Sequence, residues 1–184
     1  MAVIIVGGSG RNVGKTTLVC SLIAALPEYR WTAVKISAHE HGHPEPVWEE
    51  SASGEETDTE RYLAAGAQRS LLVTALEGDF PIAQIRAALT QDMDVIFESN
   101  RIVDSYRPDL CFAVLGDPLA NRKPSFEAFA KRADAFVALA ISDAKAFTLP
   151  PDAPVLPLVD FQAMPPKLLA CLRARLKHPK TDLR

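Results

Sequence analysis

The sequence has little of what marks a secreted, membrane-bound or nucleic-acid-binding chain. Its three cysteines, Cys20, Cys111 and Cys171, lie far apart in apolar segments, with no C-x-x-C pair. An odd, scattered set excludes a disulfide framework and a zinc knuckle, and free thiols in such surroundings behave as small hydrophobes. A reducing, cytoplasmic setting is expected. No apolar run approaches the roughly 20 residues of a bilayer-spanning helix. The N-terminus carries neither a charged n-region nor a cleavage site, so no signal peptide is expected. No basic run exceeds two residues and the formal net charge is −3, which leaves no footprint for DNA, RNA or an anionic membrane. Internal repeats and low-complexity tracts are also missing.

What is present suits one globular domain: 184 residues, 48% hydrophobic and 23% charged, are enough for a single sizeable core. Apolar strands alternate with amphipathic helices. Strands are expected at Ala2 to Val6, Trp31 to Ser37, and in "SLLVTAL", "DVIFES", "LCFAVLG" and "AFVALAI". A helix is expected over Gly14 to Leu26, where Leu18, Val19, Leu22, Ile23 and Leu26 recur at helical spacing and Pro27 ends the pattern. "TDTERYLAAGA" predicts a short helix with a Thr57/Glu60 capping box and a Gly66 stop. Further helices are expected at Pro81 to Leu89, Ser125 to Ala133 and Pro166 to Leu176, before a polar tail at 177–184. "PVLPLV" contains Pro157 and can only be an edge strand. Ala38 to Glu56 predicts a long, mobile polar loop bearing six glutamates from Glu40 onward. Strands apolar on both faces, separated by helices, imply a mostly parallel sheet covered on two sides, a three-layer α/β fold. In such sheets ligands bind beyond the carboxyl ends of the strands. The stretches to watch are therefore 7–17, 37–58, 98–107 and 116–124.

The first of these stretches is the most informative. "VGGSGRNVGKTTLV", Val6 to Val19, follows the first strand and opens the first helix, the setting a phosphate loop requires. Glycines let the backbone approach a ligand closely, and the helix start adds unsatisfied N–H groups and the positive end of its dipole. Lys15 can reach β- and γ-phosphates, the Thr16 hydroxyl is placed for Mg²⁺, and Thr17 would meet the α-phosphate side. The spacing G-x-x-x-x-G-K-[ST], counted back from Gly14, places Ser9 where the first glycine stands, with Gly8 one residue earlier. Either Ser9 substitutes or the loop is one residue longer. The phosphate-binding set is thus Ser9, Gly10, Arg11, Asn12, Val13, Gly14, Lys15, Thr16 and Thr17.

Other candidates stand at the ends of neighbouring strands. Glu98 closes "DVIFE" and can hold Mg²⁺ directly or through water, or orient an attacking water. Lys35 ends the second apolar strand and can neutralise a phosphate or carboxylate; the plainer reading is a snorkelling lysine. "HEHGH" puts His39, His41 and His43 at period two, so an extended loop would project all three to one side for a borderline metal; otherwise the segment is a lid over substrate. Asp58 can touch Mg²⁺ through water or serve its helix start. Arg122 to Ser125 could line a base or phosphate site, and Trp48 could stack on a base.

The order "GRNVGKTTL", "VKIS" with His39 and His41 after it, "DTERYLAAGA" and "VIFES" resembles the molybdopterin-guanine dinucleotide biosynthesis protein B family over roughly the first 100 residues. The resemblance implies a P-loop GTP-binding fold, often dimeric, that assists nucleotide attachment to the molybdenum cofactor, with a nucleotidyltransferase as partner. Carried over by position, Gly14, Lys15 and Thr16 would hold phosphates and magnesium. Lys35 and His39 would lie beside the γ-phosphate or cofactor, and Asp58 and Glu98 near the metal. The sequence departs from the family where Ser99-Asn100 replaces the usual Gly-Phe after the glutamate, and it has no N-K-x-D guanine signature.

The expected function is binding and slow hydrolysis of GTP or ATP with Mg²⁺, the catalytic residues being Lys15, Glu98 and Lys35 and the metal set Thr16, Glu98 and Asp58. Two alternatives stand beside it. One is an ATP-dependent ligase resembling dethiobiotin synthetase, with Lys35 on a substrate carboxylate. The other is a non-enzymatic adaptor whose His loop is ordered by nucleotide.

Overall fold

In the computed structural model of the chain the described residues are 1–51, 57–76, 78–89, 94–117, 124–138, 141–150, 152–157 and 166–176. The unbroken apolar run at the N-terminus forms β1 (Val3–Gly8), buried along its whole length. The glycine loop then leads into α1 (Lys15–Ala25), and β2 (Trp31–Ser37) follows. A three-residue strand, β3 (Val47–Glu49), precedes α2 (Asp58–Ala64) and β4 (Arg69–Thr74). Next come α3 (Ile82–Ala88), β5 (Asp94–Glu98) and β6 (Leu110–Leu115). The chain continues through α4 (Pro124–Ala130), β7 (Ala135–Ala138), β8 (Val155–Pro157) and α5 (Pro166–Arg175).

The strands form one sheet in the order β3-β4-β2-β5-β1-β6-β7-β8. Every pairing is parallel except that of β3 with β4. Helices cover both faces because alternate strand residues are apolar in both directions. On one face Ile4, Val6, Ile96 and Phe112 meet Leu18, Leu22 and Ile23 of α1, Tyr62 of α2 and Leu172 of α5. On the other, Val3, Ile5, Val34 and Phe97 meet Ile85 of α3 and Phe126 and Phe129 of α4. Each such large side chain, fully buried, contributes about 1.5–3 kcal/mol. This is the expected three-layer arrangement.

The chain leaves β1 for strands on one side and later returns to pair β6 on its other side, so the strand order reverses beside β1. The parallel registers set Val6 beside Glu98, and Glu98 beside Lys35. The glycine loop, Glu98 and Lys35 therefore emerge at one level.

Three expectations are corrected. The segment expected as a loop from Ala38 to Glu56 contains β3, whose pairing with β4 at the sheet edge supplies the order that its sequence pattern lacks; residues 52–56 lie outside the described set. The strand expected through Ile141 ends at Ala138, and Ile141 opens a 3-10 turn. The helix expected to run through Ala133 ends at Ala130, and Ala133 donates to the Ala130 carbonyl in a closing turn. The edge position of Pro157 in β8 is as expected. The 177–184 tail and residues 121–123 of the possible base-lining run lie outside the described residues.

Candidate functional site

A cavity of about 500 Å³ opens beyond the carboxyl ends of β1, β2 and β5. Its walls carry Arg11 to Thr17, Lys35 to His39, His41, Asp58, Arg61, Glu98 to Arg101 and Ser125. The loop backbone is shaped for close approach. Asn12 and Gly14 have φ of 54° and 96°, the left-handed region, which glycine reaches without penalty and asparagine at small cost. Gly14 occupies the N-cap of α1, so no cap side chain takes the first N–H groups of the helix.

Lys15 Nζ donates to the Gly10 carbonyl at 2.8 Å, across its own loop. The Thr16 hydroxyl donates to Glu98 Oε2 at 2.8 Å. The phenol of Tyr62 donates to the same oxygen. Lys35 pairs with Asp58, and its Nζ lies 3.9 Å from Glu98 Oε1. Arg61 reaches the other Asp58 oxygen at 3.5 Å. Burial pushes the Asp58 carboxyl up, but the Lys35 hydrogen bond and charge outweigh it and leave the group below the ordinary aspartate value. Burial, reinforced by the Glu98 charge, pushes the Tyr62 phenol well above its ordinary value, so it stays a hydrogen-bond donor.

Lys15, Thr16, Lys35, Asp58 and Glu98 are thus brought together as the sequence implies. Asp58 stands in the first turn of its helix, where an acid suits the dipole, while Thr57 caps it in a box with Glu60; the Asp58 carboxylate turns to the two cations. The Ser9 hydroxyl points away from the cavity. It is 3% exposed and accepts from Gly116 N at 2.9 Å, while Ser9 N donates to the Val114 carbonyl. Ser9 therefore prolongs the β1–β6 ladder, and Gly8 stands as the glycine that opens the loop.

The histidines do not converge. His39 bonds Arg11, His41 Nε2 lies 2.7 Å from Ser37 Oγ, and His43 stacks on Trp48 with centroids 4.5 Å apart. Among the described residues no group of three or more His, Cys, Asp or Glu side chains could hold a metal ion. Burial, with His43 and Lys35 nearby, holds the His41 ring below its ordinary value. Trp48, matched to His43, does not line the cavity.

Three contributors escape a sequence reading. Asn100 Oδ1 accepts from Gly8 N at 2.8 Å, and its Nδ2 donates to the Gly8 carbonyl at 3.0 Å and to Ser125 Oγ at 3.3 Å. Because β5 ends at Glu98, this amide acts as a surrogate peptide unit beside β1. Arg101 donates to the Ala75 and Leu76 carbonyls and tethers the end of β5 to that of β4. Tyr62 reaches Glu98 from α2, a partner 36 positions away that nothing in its own helix announces.

The donors that a hard divalent cation such as Mg²⁺ prefers are oxygens, and the hydroxyl of Thr16 with the carboxylate of Glu98 supplies such a pair. The set fits that ion and does not suit a softer one.

No protein-family model matches the sequence, and no curated protein sequence does. Solved structures do match. A MobB protein homolog from Bacillus stearothermophilus superposes with TM-score 0.52 at 17% identity, over 95% of this chain and 99% of that one. LpxK from Aquifex aeolicus, solved in complex with ATP, superposes with TM-score 0.51 at 20% identity, over 84% of this chain and 53% of LpxK, about half its length. At these identities the likeness establishes architecture alone: the chain shares the three-layer α/β fold of the MobB homolog and of the half of LpxK that it matches.

Proposed function

We propose that the protein binds a nucleoside triphosphate, GTP or ATP, with Mg²⁺ in this cavity and hydrolyses it slowly. The observation that carries the reading is the meeting of Lys15, Thr16 and Glu98 at the ends of two adjacent parallel strands, with Thr16 hydrogen-bonded to Glu98. Lys15 would leave the Gly10 carbonyl for the β- and γ-phosphates. The amides at the start of α1 would take phosphate oxygens, aided by the helix dipole. Thr16 and Glu98 would hold Mg²⁺, which supplies charge neutralisation when bound. Glu98 would also orient the attacking water, and Lys35 would meet the charge that builds on the γ-phosphate. Positioning and electrostatics carry such reactions.

The MobB likeness and the ordered motifs support a role in attaching a guanine nucleotide to the molybdenum cofactor, with a nucleotidyltransferase as partner and a homodimer as working form, in the cytoplasm. The ligase-like alternative needs Lys35 for a substrate carboxylate. Nucleotide turnover strictly dependent on a small acid would select that alternative over hydrolysis.

The test is titration of Mg²⁺-GTP and Mg²⁺-ATP against the wild type and Lys15→Ala. Loss of a hydrogen bond from a charged group predicts about 10- to 150-fold weaker binding. Equal affinity of the two proteins refutes the reading, and stoichiometric binding without turnover selects the adaptor alternative.

A further inference from the structure

Tyr62 belongs to a helix whose ends are fixed by local chemistry, the Thr57/Glu60 capping box at one end and Gly66 with φ of 109° just past the other. That registration turns the Tyr62 ring into the sheet, where it is 0% exposed. Phenylalanine would fill the same space. A buried phenolic hydroxyl needs a partner, and a carboxylate that is 6% exposed needs donors. The two meet at one atom. Glu98 Oε2 accepts from both Thr16 and Tyr62, while among the described residues Oε1 has only Lys35, at 3.9 Å.

We propose that Tyr62 is a positioning residue for Glu98: by fixing Oε2 from beneath the sheet it turns Oε1 toward the cavity, in the geometry needed to address a magnesium-bound nucleotide. This rests on the nucleotide reading above. A glutamate side chain at a strand end has rotamer freedom to lose, and Tyr62 places that cost in folding instead of in ligand binding. A preorganised carboxylate is what a site relying on positioning requires. Thr16 alone cannot do this, because its oxygen is also the one that a cation would engage.

The experiment compares wild type with Tyr62→Phe, which keeps the ring and removes one hydroxyl. Three quantities are measured: nucleotide affinity with Mg²⁺ and with chelator, kcat and KM for hydrolysis, and melting temperature. Expected for Tyr62→Phe are a roughly tenfold lower kcat, KM within about twofold, and a gain in affinity on adding Mg²⁺ that shrinks several-fold. Wild-type kcat and an unchanged magnesium gain, with only the melting temperature lowered, make Tyr62 a core residue and overturn the proposal. A wild type that ignores Mg²⁺-nucleotide, or binds it no better than Lys15→Ala does, brings down the nucleotide reading itself. The unaltered Tyr62 gives an independent result, because the chain has three tyrosines and carbon-13 labelling at Cζ yields three resonances. The Tyr62 signal is expected to move in Glu98→Gln and stay in place in Lys15→Ala. A Tyr62 signal unmoved by Glu98→Gln also overturns the proposal.

Discussion

Replacing Asn100 by alanine is expected to damage the fold and the phosphate loop together. The side chain supplies an acceptor at 2.8 Å to Gly8 N and a donor at 3.0 Å to the Gly8 carbonyl. Gly8 is buried, at the last position of β1, directly before the loop. Alanine leaves both backbone groups without those partners. An orphaned buried polar group costs about 1–3 kcal/mol, so two cost about 3 kcal/mol after partial relaxation. For a domain of this size each kcal/mol lowers the melting temperature by about 2–4 °C, giving a drop of about 6–12 °C. Asn100→Asp should be no better: it keeps the acceptor, loses the donor, and sets a negative charge against the Gly8 carbonyl. Thermal unfolding followed by circular dichroism reads the stability, and nucleotide titration reads the loop, where several-fold weaker binding is expected. A melting temperature within 1 °C of wild type would refute the argument, since it would mean that water replaces the amide without loss.

Further outcomes follow from the same geometry. A methyl group added at Gly116 would overlap Val13 Cγ1, and the stiff valine sits in the phosphate loop, so Gly116→Ala should destabilise by about 1–3 kcal/mol and weaken nucleotide binding. Adding Val13→Ala should restore much of both, and no rescue would show that the clash lies elsewhere. Burial pushes the Cys111 thiol up to about 12, whereas Cys171 is exposed. A thiol reagent at pH 8 should therefore label Cys171 first and reach Cys111 only in denaturant, as mass spectrometry would show. The Arg173 hydrogen bond holds Glu28 below its ordinary 4.5, against a smaller push from burial. A depressed carboxyl stabilises the fold above its unfolded value and ceases to do so as pH falls through the folded one. Urea unfolding should therefore separate wild type from Arg173→Leu at pH 7 and bring them together well below pH 4.5; a gap that widens in acid contradicts the pairing.

The parts of the molecule legible in the sequence are those written in short-range pattern. β1, α1 and the loop between them announce themselves through an apolar run, four glycines from Gly7 to Gly14, and the Gly-Lys-Thr that follows. Glu98 was visible because it ends a strand whose interior, Val95 to Phe97, is wholly apolar. What stayed hidden depends on partners remote in the chain. β3 exists because β4 offers an edge, and three residues in a polar stretch carry no periodicity. Asn100 after a strand reads as an ordinary turn residue until Gly8, 92 positions away, is set beside it. Ser9 looked like a loop residue by count, yet Val114 and Gly116 draw it into the sheet. The histidine triplet lost its common direction because Arg11, Ser37 and Trp48 each claim a different ring.

The bond between Lys15 and the Gly10 carbonyl has a bearing on how guests come and go. The ammonium braces the loop from within, tying the start of α1 back to Gly10. Arrival of an anion is then a trade of one acceptor for another, so the enthalpy released at this lysine is only the difference between the two bonds. On the departure of such an anion the carbonyl would recapture the ammonium, which would ease release and restore the nest.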